Sequence, residues 1–127
     1  MAQQPLNQYK TIAGVVSTTN VGIYTTKTGY TSIVLYAQVA NTGSGIGTVS
    51  FYHERDNRLS GGGISTTTTE LIYEATVPPN DALVLLEGRL VLERTALKTD
   101  RLRMVGVSTS NPNHLKYTVS LLETLNQ

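Results

Sequence analysis

The residues able to do chemistry are few. His53 and His114 are the only imidazoles, and there is no cysteine. Thiolate nucleophiles, disulfides and cysteine-based zinc sites are therefore excluded. A metal site would need carboxylates gathered around a histidine. His53 stands beside Glu54 and Asp56, but successive side chains of a strand point to opposite faces. That alternation sets His53 with Arg55 and Glu54 with Asp56, so the three do not converge on one ion.

Nucleophilic catalysis needs a serine or threonine next to a base. The chain holds no nucleophile elbow, and Gly43-Ser44-Gly45 reads as a turn. The glycines of Gly43-Ser44-Gly45-Ile46-Gly47 are no phosphate cradle either, because such a loop runs from a strand into a helix and is followed by a lysine. Nine acidic residues scattered over strand ends define no pair of the kind that glycosidases set across a cleft. With no tryptophan, and seven tyrosines that fall in strand patterns, a stacking platform for sugars is not expected. The expectation is a protein that is not an enzyme, with no cofactor and no metal.

Charge narrows the partners. The net charge is +1 and only 15% of residues are charged. Binding to phosphate backbones needs many cations on one face. Here Lys10, Lys27, Lys98 and Lys116 are far apart, and Arg101 and Arg103 follow Asp100. No nucleic-acid partner is expected. The opening Met-Ala-Gln-Gln-Pro-Leu has neither the basic start nor the apolar run of a signal peptide. No apolar stretch approaches the roughly 20 residues that a spanning helix requires. These features predict a soluble protein made in the cytoplasm, with no membrane partner. A surface polar through Thr, Ser, Asn and Gln also resists pairing less than one covered in Lys and Glu.

The elements that would position these residues are strands. Threonine runs such as Thr66-Thr67-Thr68-Thr69 suit a pleated surface better than a helix. Leu115, Tyr117, Val119 and Leu121 alternate with Lys116, Thr118 and Ser120, the period of a half-buried strand. The same period assigns Ile33, Leu35, Ala37 and Val39 to one face of a strand. It also sets Leu71, Tyr73, Ala75 and Val77 on one face, opposite Ile72, Glu74 and Thr76. Turn chemistry separates the runs: Asn41 to Gly45 as a hairpin, Pro78-Pro79-Asn80-Asp81 as a stop, and Glu87-Gly88-Arg89 as a reversal between two leucine strands.

A chain of 127 residues with this pattern predicts one all-β domain, residues 1–127. The expected fold is a β-sandwich, jelly-roll-like or Ig-like, of about eight or nine short antiparallel strands. Residues 1–8 read as an N-terminal arm. Residues 56–68, rich in glycine and threonine, read as a long mobile loop. Long loops in compact domains are often contact elements, which makes Arg58, Gly61, Gly62, Gly63, Thr66 and Thr67 the expected interface residues.

One ordered set of segments resembles a known group. It runs from Gly22-Ile23-Tyr24-Thr25 through Gly29-Tyr30-Thr31-Ser32-Ile33-Val34 to Val39-Ala40-Asn41 and Thr48-Val49-Ser50-Phe51. Glu70-Leu71-Ile72, Val77-Pro78-Pro79-Asn80-Asp81-Ala82-Leu83 and Leu86-Glu87-Gly88-Arg89-Leu90-Val91-Leu92-Glu93 follow. This order resembles small virion structural proteins of tailed bacteriophages, especially those of cyanobacterial and marine phages. The resemblance implies a structural part of a phage particle, located in the virion and assembled in the host cytoplasm. Its implied partners are copies of itself, as a symmetric homo-oligomer, and other virion proteins. A neck or tail position is the first expectation. Capsid decoration or cement on the head surface is the alternative, and a receptor- or glycan-binding module is a more distant one. The family supplies no catalytic residues.

Overall fold

The computed structural model describes residues 7–125. Eight strands follow in order: β1 (Asn7–Val15), β2 (Val21–Thr25), β3 (Tyr30–Asn41), β4 (Gly47–Arg58), β5 (Ile64–Val77), β6 (Asp81–Glu93), β7 (Lys98–Ser108) and β8 (Leu115–Leu125). A single 3₁₀ turn, Pro112–His114, precedes β8 and is capped by the Asn111 side chain. The strands form two four-stranded sheets, ordered β1-β8-β3-β6 and β2-β7-β4-β5.

The pairing is nested. β4 pairs with β5, β3 with β6, β2 with β7 and β1 with β8, all antiparallel. That is one long hairpin of eight strands, rolled up so that β3 also meets β8 and β4 also meets β7. The fold is a jelly roll. The Ig-like option falls away because β4 and β5 are the only consecutive strands that share a sheet.

This nesting corrects several local expectations. The Asn41 to Gly45 turn closes no hairpin, since it carries the chain from β3 in one sheet to β4 in the other. Asn41 holds that crossing: its Nδ2 donates to the carbonyls of Gly45 (2.7 Å) and Val77 (3.1 Å), and its Oδ1 accepts from the Gly43 amide. Glu87-Gly88-Arg89 is no reversal either. β6 runs straight through it, with register shifts opposite Val34–Tyr36 and Gly88 at φ +119°. A glycine inside a strand marks a bulge as readily as a turn.

The β3 bulge has a second effect. An extra residue transfers the following side chains to the other face. Val34 is buried ahead of the shift, and Ala37 and Val39 after it, so Ile33, Leu35, Ala37 and Val39 do not share one face. β5 repeats the device: Tyr73 and Glu74 both oppose Ser50, whose hydroxyl accepts the Glu74 amide at 2.9 Å, and Glu74 sits at φ 47°. Leu71, Tyr73, Ala75 and Val77 accordingly do not keep one face.

Residues 56–68 form no loop. β4 extends to Arg58 and β5 begins at Ile64, paired in continuous register from Arg58↔Ile64 to His53↔Thr69. The reversal is confined to residues 60–62: the Gly62 amide donates to the Leu59 carbonyl (3.0 Å), the Leu59 amide to the Gly63 carbonyl (2.8 Å), and Gly62 lies at φ +92°. This is the three-residue hairpin with a left-handed last position, which glycine fills without strain. A threonine-rich stretch with little apolar content resembles a loop in composition, yet threonine is a good strand former. Of the expected arm, residues 1–6 lie outside the described residues, and Asn7 and Gln8 belong to β1.

Phe51, Leu92, Leu102, Met104, Leu115 and Leu121 are fully buried between the sheets. Phe51→Ala should lower the unfolding free energy by about 3–5 kcal/mol, read as a reduced urea midpoint with an unchanged far-ultraviolet dichroism spectrum.

Candidate assembly surface

The β4–β5 hairpin reaches beyond the rest of the sandwich because its neighbour β7 starts only at Lys98, opposite Asn57. Every residue from 58 to 70 is exposed. Arg58, Gly61, Gly62, Gly63, Thr66 and Thr67 all lie on this one hairpin: Arg58 ends β4, the glycines form the turn, and the threonines belong to β5. The sequence thus grouped them correctly in space while mistaking a paired ribbon for a loop.

The hairpin also presents apolar side chains that the sequence reading passed over. Leu59 is 51% exposed and Ile64 63%, and Leu97, on the connection from β6 to β7, is 68% exposed. A recess of about 630 Å³ is lined by that connection, the hairpin base and the β2–β3 turn. Arg58, Ile64, Arg94, Leu97 and Lys98 are among its lining residues. A hydrophobic run could not reveal this patch, because its members are far apart in sequence.

Two ionic clusters fasten the hairpin base. On the inner face Asp100 is fully buried and accepts a two-pronged hydrogen bond from Arg55, Nε at 2.5 Å and the terminal nitrogen at 2.7 Å. The Glu93 amide adds a third at 2.8 Å. His53 Nε2 lies 3.4 Å from the same carboxylate and has no hydrogen-bond partner among the described residues. On the outer face Arg101 bridges Glu54 and Asp56, both at 2.6 Å, and the Thr66 hydroxyl donates to Asp56 at 2.7 Å. The strand period had assigned His53 and Arg55 to one face and Glu54 and Asp56 to the other, as found. It could not show that Asp100 and Arg101, adjacent on β7, supply one counter-ion to each face.

Burial raises the Asp100 carboxyl, but the Arg55 hydrogen bonds and the Glu93 amide outweigh it and hold the group below the ordinary carboxylate range. Asp56 is lowered too, by its hydrogen bonds from Arg101 and Thr66.

No protein family matches the chain, and no curated protein matches it. Among solved structures, a chain in the structure of infectious bursal disease virus, Gx strain, aligns with TM-score 0.55 and 8% identity over 94% of this chain and 32% of that one. The crystal structure of the T13 particle of the same virus aligns with TM-score 0.48 and 10% identity, over 96% and 32%. The CBM22-1 xylan-binding domain of Paenibacillus barcinonensis Xyn10C aligns with TM-score 0.36 and 13% identity, over 90% and 70%. This chain thus spans about a third of the viral chains. At 8% identity, the Gx-strain likeness is one of fold.

Both lowered carboxylates act in one direction. Their folded values lie below the unfolded reference of about 4, so their stabilisation is present above that pH and is lost as pH falls through the folded values. The urea midpoint should therefore drop on acidification below about pH 4. Asp100→Asn should cost about 3 kcal/mol at neutral pH, because it leaves Arg55 without its charge partner, and should flatten the acid limb of the same titration.

Proposed function

We propose that this protein is a non-enzymatic structural component of a tailed-phage virion, assembling as a symmetric oligomer at the neck or tail. The observation that carries the reading is the projecting β4–β5 hairpin, exposed at every residue from 58 to 70 and bearing Leu59 and Ile64. A paired ribbon that leaves apolar side chains in water gains stability when a neighbour covers them. The segment order that resembles phage virion proteins supports the same reading, as does a fold shared with a chain of a virus particle. In this role the chain works by shape, its partners being its own copies and other virion proteins. The fully buried Asp100 and its partner Arg55 fix the hairpin base rather than serve a reaction.

Copy number against the major capsid protein, measured by quantitative mass spectrometry of purified particles, tests the placement. A ratio equal to one or a few rings is expected. A ratio near that of the capsid protein would move the chain to the head surface as a decoration, and its absence from particles would overturn the virion role. The double variant Leu59→Ser/Ile64→Ser should keep the fold of the isolated chain while reducing its incorporation into particles.

A further inference from the structure

We infer that residues 64–70 of β5 pair with the same strand of a second copy, antiparallel about a two-fold axis through Thr67. This rests on the assembly role above and names the contact. Each sheet has two edges, and the four edge strands are β1, β6, β2 and β5. Edges are normally blunted by charge, bulges or shortness. β2 has five residues and a register shift, β1 carries Lys10, and β6 carries Asp81, Glu87, Arg89 and Glu93 together with its bulges. Residues 64–70, Ile-Ser-Thr-Thr-Thr-Thr-Glu, hold one charge and no proline, and the register with β4 is unbroken from Arg58↔Ile64 to His53↔Thr69. They are exposed throughout.

The backbone alternation is set at the turn, where Leu59 and Gly63 are hydrogen-bonded. Counting along the ladder, Ser65, Thr67 and Thr69 bond inward to β4, and Ile64, Thr66, Thr68 and Glu70 turn their N–H and C=O groups outward. A two-fold axis at Thr67 then places Thr66 against the second copy's Thr68 and Ile64 against its Glu70. Each of these is a pair with outward-facing groups on both strands.

The charges are complementary in this register. Glu70 meets Ile64 rather than its own counterpart. Arg58 lies directly across Ile64 on the same face, so the second copy's Glu70 is two strand spacings, roughly 10 Å, from Arg58. That gap is spanned by the two side chains together. Among the described residues neither Arg58 nor Glu70 has an ion-pair partner. The turn glycines, Gly61 and Gly62, have open space around them, so they do not obstruct a second strand along β5. One added strand buries less than the roughly 1,200 Å² of a stable interface. The pairing is weak in dilute solution and is reinforced where many copies are held together.

The absence of cysteine allows a direct test on the full chain. At the axis, Thr67 faces its own counterpart in a non-hydrogen-bonded pair with Cα atoms about 4.5 Å apart, inside the disulfide range. Thr67→Cys under mild oxidation should double its mass on a non-reducing gel. Ser65→Cys, on the same face but roughly 13 Å from its counterpart, should remain monomeric. Arg58→Glu added to Thr67→Cys should slow the cross-link, and Glu70→Arg on top should restore it. In the unaltered chain, the amides of Thr66 and Thr68 should gain protection from hydrogen exchange as concentration rises. Equal cross-linking of the two cysteine variants, or none together with concentration-independent exchange, would overturn the pairing. The copy number in particles is read separately, so either result leaves the virion role to its own measurement.

Discussion

The nested pairing of eight strands is the constraint on which everything else depends. Only the β4–β5 contact is local; each pair outward from it closes a longer loop, up to β1 with β8, where Asn7 faces Thr124. The entropy of closing such loops grows slowly with length, but it must be offset by core formed at the same time. Each sheet therefore contributes to one shared core: Val34, Val119 and Leu121 come from one sheet, and Phe51, Leu102 and Met104 from the other. The bulges in β3, β5 and β6 are part of the same solution. They shift the side-chain phase where a strand passes from one neighbourhood of the roll to another.

Buried charge is concentrated where the strands approach the β4–β5 hairpin. Asp100 is held by Arg55, and the equally buried Glu123 accepts from the Tyr24 hydroxyl at 2.6 Å, with Lys27 at 3.5 Å. Burial and the Glu123 carboxylate push the Tyr24 phenol well above its ordinary range, so it stays a donor. Ions taken from water are costly unless fully partnered. Here the cost is offset by geometry: the fork of Arg55 fixes the register of β4 against β7, and Arg101 repeats the lock on the outer face. The tip of the hairpin, which reaches past the start of β7, is anchored by such locks at its base.

Residues 64–70 of β5 form a flat edge segment whose one charge, Glu70, lies at its end. The β6 edge is bulged and carries four charges, β2 is short and shifted, and β1 carries a lysine near its middle. The β4–β5 hairpin carries this edge, the exposed Leu59 and Ile64, and Arg58, which has no ion-pair partner among the described residues.

The all-β class, most strand positions and the grouping of Arg58, the three glycines and the threonines were legible from the residues alone. Period-two alternation and β-branched composition are local properties, and they report local structure directly. The facing of His53 with Arg55 and Glu54 with Asp56 follows from the same period. Which strands pair was not local information: Asn41 to Gly45 signals a turn whether the chain returns in its own sheet or crosses to the other. Gly88 and Glu74 mark bulges only once a partner strand fixes the register, and before that Gly88 reads as a reversal. The hairpin looked like a loop because its few apolar residues, Leu59 and Ile64, show no alternation, and low apolar content means exposure, which is shared by loops and by edge strands. Tertiary structure alone decided that Asp100 and Arg101 divide their charge between two faces, and that the longest threonine run lies at a free edge.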